Sequence, residues 1–164
     1  SSVTGEASES GTQAVTITIT ENESAPTVTL SIKIDNSGYD YITTSVYEYN
    51  SSKSIRIEAK LSGATDEDVT VALSTSGTAT EGTDYTDGSG NLDDITISAG
   101  SRTGFINFIR SDDSVYEGNE TATIAISSVS GGSATKSGSL QSVTITIIDN
   151  ESAGSVTLTV GVLF

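Results

Sequence analysis

An all-β fold, an antiparallel immunoglobulin-like β-sandwich of about seven to eight strands, is what this sequence predicts, and three observations predict it. Apolar and polar residues alternate with a period of two in seven separate runs, and no segment holds a helical period. Clusters of Gly, Ser, Asn and Asp separate the runs, while β-branched residues dominate them, the pattern of sheets with one wet face each. A block of sequence also recurs at an offset of 128 residues, which sets the sandwich in a tandem array.

The runs follow one another in order. Thr27 to Ile34 reads TVTLSIKI, Ser54 to Leu61 SIRIEAKL, Val69 to Leu73 VTVAL and Ile95 to Ile97 ITI. Gly104 to Ile109 (GFINFI), Thr121 to Ile126 (TATIAI) and Val143 to Ile148 (VTITII) complete the set. Each alternates, so each is expected to bury one face and wet the other.

The recurring block divides the chain. Residues 14–31, AVTITITENESAPTVTLS, align without gaps to residues 142–159, SVTITIIDNESAGSVTLT, with 12 of 18 positions identical. Upstream, SSVTGEASESGTQ from Ser1 matches SSVSGGSATKSGSLQ from Ser127 across a two-residue gap. Ser/Thr/Val drift can imitate a repeat, but a shared NESA at the same point after the same strand is hard to obtain by drift. Residues 1–25 are therefore expected to be the C-terminal strand region of a preceding repeat, 26–152 a complete domain, and 153–164 the first strand of a following repeat. The flanking strands need partners, because an unpaired strand exposes its backbone donors and acceptors and buries too little to offset its lost entropy. Those partners are either the rest of each repeat in a longer chain or the sheet edges of identical subunits in a filament.

Composition removes whole classes of chemistry. His, Cys, Met and Trp are all missing, and Pro26 is the single proline. There is accordingly no imidazole base, no thiolate, and no ordinary zinc, copper or iron site, since those metals prefer nitrogen and sulfur donors. Twenty-two acidic residues against seven basic ones give a formal charge of −15. Such a surface repels nucleic acid and anionic membranes and attracts hard cations. No apolar run approaches membrane-spanning length and no signal-peptide pattern opens the sequence, so the expectation is a fragment from inside a mature protein, without direct membrane insertion.

The acidic residues gather in loops. The sharpest cluster runs from Asp112 to Glu120 and sets Asp112, Asp113, Glu117 and Glu120 between the strands FINFIR and TATIAI, at one end of the sandwich. Calcium takes six to eight oxygen ligands and tolerates irregular geometry, so a loop mixing carboxylates with backbone carbonyls suits it.

At this point the sequence resembles the Calx-beta family, a module found in sodium-calcium exchangers and in tandem in many adhesins. Gly77 to Tyr85 (GTATEGTDY) is similar to that family's GTA-x-x-G-x-DY signature, and Ser98-Ala99-Gly100 to its small-residue turn. Asp112, Asp113, Glu117 and Glu120 match its DD-x-x-x-E-x-x-E pattern, and Ile148 to Glu151 its acidic close. The resemblance covers residues 26–152. It implies calcium as the cofactor, held by Glu48, Asp84, Asp112, Asp113, the Val115 carbonyl, Glu117, Glu120, Asp149 and Glu151. It further implies a non-catalytic repeat of an extracellular or cell-surface protein, an adhesin or filament of bacterial type, with a calcium-sensing regulatory module as the alternative. Two departures stand out: Asn150 is neutral and Glu151 longer where the family closes on consecutive aspartates, and Asn91-Leu92-Asp93-Asp94 adds carboxylates where it usually starts an apolar strand.

Other acidic residues read as solvated surface charge, namely Asp66, Glu67, Asp68, Asp93 and Asp94. Asp87 to Asn91 (DGSGN) lacks the alternating carboxylates and terminal glutamate of an EF-hand and reads as a glycine-rich turn. Sequons at Asn22, Asn50, Asn119 and Asn150 read as coincidental, and Tyr85 and Tyr116 as core or rim aromatics. A carboxylate pair such as Glu117 and Glu120 could in principle act on a glycoside. With no tryptophan platform, catalysis is not expected.

Overall fold

The computed structural model describes residues 5, 11, 14–35, 44–48, 54–139 and 141–161. The match beginning at Ser1 lies almost wholly outside these residues, as do Asn50 and the last three residues of the 153–164 segment. Ten strands run through the described residues. They are β1 (Thr27–Asp35), β2 (Ser45–Tyr47), β3 (Ser54–Leu61), β4 (Val69–Gly77), β5 (Tyr85–Thr86), β6 (Ile95–Ile97), β7 (Thr103–Arg110), β8 (Glu120–Ser130), β9 (Thr135–Lys136) and β10 (Ser142–Ile148). They build two five-stranded sheets, ordered β5-β7-β3-β1-β9 and β2-β10-β8-β4-β6, that face each other as a sandwich.

Alternation sets which side chains enter the space between the sheets. In β3, Ile55, Ile57, Ala59 and Leu61 are buried, while Arg56 and Glu58 are half-buried on the outer face and Lys60 is exposed. Val28 and Leu30 of β1, Val69 and Val71 of β4, Ile95 and Ile97 of β6, Ala122, Ile124 and Ile126 of β8, and Ile145 and Ile147 of β10 complete one continuous core. Each fully buried Val, Leu or Ile contributes about 1.5–3 kcal/mol relative to exposure. On the outer face Arg56 lies over the Phe105 ring, 4.3 Å from its centroid, and shields part of that aromatic. Towards one end, Tyr85 and Phe108 stack with centroids 4.8 Å apart and planes 19° from parallel.

The seven alternating runs are β1, β3, β4, β6, β7, β8 and β10. Three further strands, β2, β5 and β9, are only two or three residues long and arise from pairing with a longer neighbour. The long strands pair antiparallel, but two of the short ones do not: β2 runs parallel to β10, and β9 parallel to β1. The sandwich is antiparallel as expected apart from these two short pairings, whose segments join after a crossover between the sheets and not after a hairpin. β4 carries a register shift between Ala72 and Leu73, which lets it follow β8 as far as Gly77.

Gly77 is fixed by its surroundings. Its φ is +125°, and a Cβ there would stand 2.0 Å from the Thr121 carbonyl oxygen, so only glycine lets β4 close against β8 at this point. The loops after β4, β7 and β10, together with the residue after β2, thereby converge on one end of the sandwich. Residues 62–68, 98–102 and 131–134 lie at the other end.

Candidate metal centre

Each acidic loop is pinned by its own backbone. After β4 the chain turns on Thr80: the Asp84 N–H donates to the Thr80 carbonyl at 2.9 Å, and the Thr80 N–H donates to Asp84 Oδ2 at 2.5 Å. Asp84 is thus held at 8% exposure, and its carbonyl accepts the Ser111 N–H at 2.9 Å, which carries the β7–β8 loop alongside. Inside that loop the Val115 N–H donates to Asp113 Oδ1 at 2.7 Å, an Asx turn that reverses the chain. After β2, the Glu48 N–H donates to the Ile148 carbonyl at 2.9 Å and sets Glu48 beside the acidic close of β10.

Asp149 joins the last two segments. Its Oδ2 accepts the N–H groups of Glu117 at 2.7 Å and Gly118 at 2.5 Å, and its Oδ1 accepts the Glu151 N–H at 2.7 Å. The Asp149 N–H in turn donates to Asn119 Oδ1 at 3.3 Å. Gly118 has φ +81°, the left-handed conformation that presents its N–H to this carboxylate.

Among the described residues three groups of carboxylates result, each with one oxygen per residue and all those oxygens within 4.8 Å of one another: Asp84, Glu117 and Glu120; Glu48, Asp113 and Glu117; Glu48, Asp149 and Glu151. Glu117 is common to the first two groups and Glu48 to the last two, so the three form a linked row. Seven of the nine residues singled out in the sequence are brought together in it. Asp112 stands outside the groups but close enough for its charge to act on Glu48 and Glu151. Val115 is exposed in the same loop, and no contact of its carbonyl defines a role.

Burial first, and like charge second, raise the proton affinity of these carboxylates. Burial, followed by the charges of Asp113, Glu151, Asp149 and Asp112, pushes the Glu48 carboxyl up to about 7. Burial and then the charge of Asp84 push Glu120 up to about 7 as well. Glu117 and Glu151 are raised too, first by burial and then by acidic neighbours. Asp149 goes the other way: burial raises it, but the N–H bonds from Gly118, Glu151 and Glu117 outweigh that and hold it below the usual carboxylate range. Glu151 Oε2 is buried with no hydrogen-bond partner. A row of oxygen donors, one of them buried and unsatisfied, fits a hard cation.

Sequence reasoning missed the residues that shape this end. Thr80, Gly118, Asn119 and the Ile148 carbonyl act through backbone hydrogen bonds, and the Glu-Gly-Asn tripeptide at 117–119 was the one available signal. Several of the other acidic residues hold loops in place. Asp68 Oδ1 accepts the Ala99 N–H at 2.8 Å, steadying the turn at Ser98 to Gly100. Glu81 accepts the Thr75 hydroxyl at 2.7 Å and the Leu92 N–H at 2.6 Å. Asp94 accepts the Leu73 N–H at 3.3 Å, which ties the 87–94 loop to β4, and within that loop Asp87 accepts the Asp93 N–H at 3.1 Å.

Comparison with known proteins agrees with this architecture. The family model described as the Calx-beta domain matches residues 35–151. Among solved structures, the apo form of the Calx CBD1 domain is 20% identical with a TM-score of 0.51, over 74% of this chain and 98% of that one. CBD12 from CALX1.2 is 22% identical (TM-score 0.52, 65% of this chain), and the calcium binding domain CBD12 of CALX1.1 is 24% identical (TM-score 0.51, 64% of this chain). This chain spans 40% of the length of each of those two. No curated protein matches. With the family match covering more than half of the chain and the fold shared with these structures, the chain belongs to the Calx-beta domain family.

Proposed function

We propose that the acidic end of this sandwich binds calcium through Glu48, Asp84, Asp112, Asp113, the Val115 carbonyl, Glu117, Glu120, Asp149 and Glu151. The ion stiffens a structural repeat of an extracellular or cell-surface protein. The observation that carries this reading is the linked row of carboxylate groups, in which Glu48 and Glu117 are shared. Crowded, partly buried carboxylates repel one another and raise each other's proton affinity, and a divalent cation reverses the sign of that interaction. Family membership supports the same chemistry, as does the likeness to the calcium binding domain CBD12 of CALX1.1. The role is binding and structural, not catalytic, and tandem neighbours extend the module into an array. Calorimetric titration of the chain with calcium tests this: saturable binding is expected, and no binding at millimolar calcium defeats it.

A second reading, a calcium-sensing regulatory module, draws on the likeness to the Calx domains. Affinity separates the two. A sensor binds at about 10⁻⁷–10⁻⁵ M, whereas extracellular modules bind at about 10⁻⁴–10⁻³ M.

A further inference from the structure

β7 is paired along its length on one side only. On that side β3 runs beside Thr103 to Phe108, and on the other β5 reaches just Ile109 and Arg110. The Leu61 N–H donates to the Arg102 carbonyl at 2.8 Å. Bonded and non-bonded pairs alternate in an antiparallel ladder, so Gly104 and Ile106 turn their N–H and C=O groups to β3, while Phe105 and Asn107 turn theirs away. Among the described residues no strand meets those groups. Edges are ordinarily blunted by charge, proline or a bulge, yet Thr103 to Ile109 (TGFINFI) has no charged residue, no proline and no register shift.

A groove of about 460 Å³ opens beside this edge, between β7 and the turn at Asp87 to Ser89. Its lining joins Phe105 and Ile109, 51% and 47% exposed, to the carboxylates of Asp87 and Asp93. Asp87 Oδ1 accepts both the hydroxyl and the N–H of Ser89 at 2.7 Å, and its Oδ2 accepts the Asp93 N–H at 3.1 Å. The Ser89 hydroxyl and N–H hold the Asp87 carboxyl below its usual range, and no basic residue contributes. Arg56 is engaged with the Phe105 ring.

We propose that this edge takes an extended segment of another protein, paired by strand addition to Phe105 and Asn107 and carrying lysine or arginine at alternate positions over the groove. Basic side chains suit the groove because their methylene stems cover Phe105 and Ile109 while their charges reach Asp87 and Asp93. A second copy of this chain does not match, since it brings a formal charge of −15.

The probe is a capped peptide of sequence TVKVKVT, titrated onto the 164-residue chain in millimolar calcium, so that the outcome concerns the edge and not the metal. Saturable binding is expected, at least about tenfold tighter than for TVEVEVT. Amide exchange at Phe105 and Asn107 should slow at least about tenfold in the complex, while Gly104 and Ile106, already bonded to β3, keep their rates. Methylating the backbone nitrogens of the lysines in one peptide, and of the valines in another, should abolish binding in one of the two, because alternate amides face β7. No binding at millimolar peptide, equal affinity for the lysine and glutamate peptides, the same result from both methylated peptides, or protection elsewhere than at Phe105 and Asn107 overturns the proposal. So does self-association of the unaltered chain that protects these two amides, which would give the edge to a second copy.

Discussion

The Asp149 carboxylate accepts the backbone N–H of Glu117 at 2.7 Å, joining segments 32 residues apart. The residue that follows β10 thereby fixes the curvature of the β7–β8 loop, which carries four of the proposed ligands. Replacing Asp149 with Ala should release the loop: with calcium removed, the amides of Glu117 and Gly118 should exchange at least about tenfold faster, while those of β3 keep their rates. Unchanged exchange at both amides would contradict the arrangement.

Stability without calcium should fall as pH rises. Glu48 and Glu120 stand at about 7 in the folded chain against 4.5 when unperturbed, so the folded state holds more protons than the unfolded one between those values. Their contribution is fully present below 4.5 and is lost as pH passes through 7. Melting temperature in chelator should therefore decline from pH 5 to pH 8, less steeply for Glu48→Gln. A melting temperature that climbs over this range would refute the like-charge account.

Ligands should separate from bystanders. Glu117→Gln and Asp113→Asn should each weaken calcium binding at least about tenfold, since a charged oxygen donor is lost from a linked group. Glu67→Gln and Asp93→Asn, both exposed and outside the groups, should leave affinity within about twofold. Equal losses in both pairs would mean generic charge in place of a site.

The close approach at Gly77 predicts a stability effect that is independent of metal. Gly77→Ala places a Cβ 2.0 Å from the Thr121 carbonyl oxygen at φ +125°, and should cost on the order of 2–3 kcal/mol. Gly138→Ala meets nothing within 4 Å and should be near neutral. Chemical denaturation of the two variants in chelator checks the contrast.

These elements also show how far the sequence could be read. β3 and β10 were legible because burial on one face imposes strict alternation, and TITI or SIRIEAKL cannot satisfy that as a helix. β2, β5 and β9 were not, since strands of two or three residues exist through a neighbour's ladder and not through their own propensity. β8 extends past Ile126 through polar Ser127 to Ser130 because the register shift at Ala72/Leu73 keeps β4 beside it. The acidic residues were legible as types; Gly118 and Asn119 gain their roles from Asp149, some 30 residues away, and no local pattern encodes that.

Melting temperature in millimolar calcium against excess EDTA tests the central claim most directly. A single site held at about a hundred times its dissociation constant adds about 2.7 kcal/mol, which for a domain of this size raises Tm by about 10 °C. The account predicts at least that rise in the parent and a clearly smaller one in Glu117→Gln. Coincident melting curves in calcium and in EDTA would contradict it.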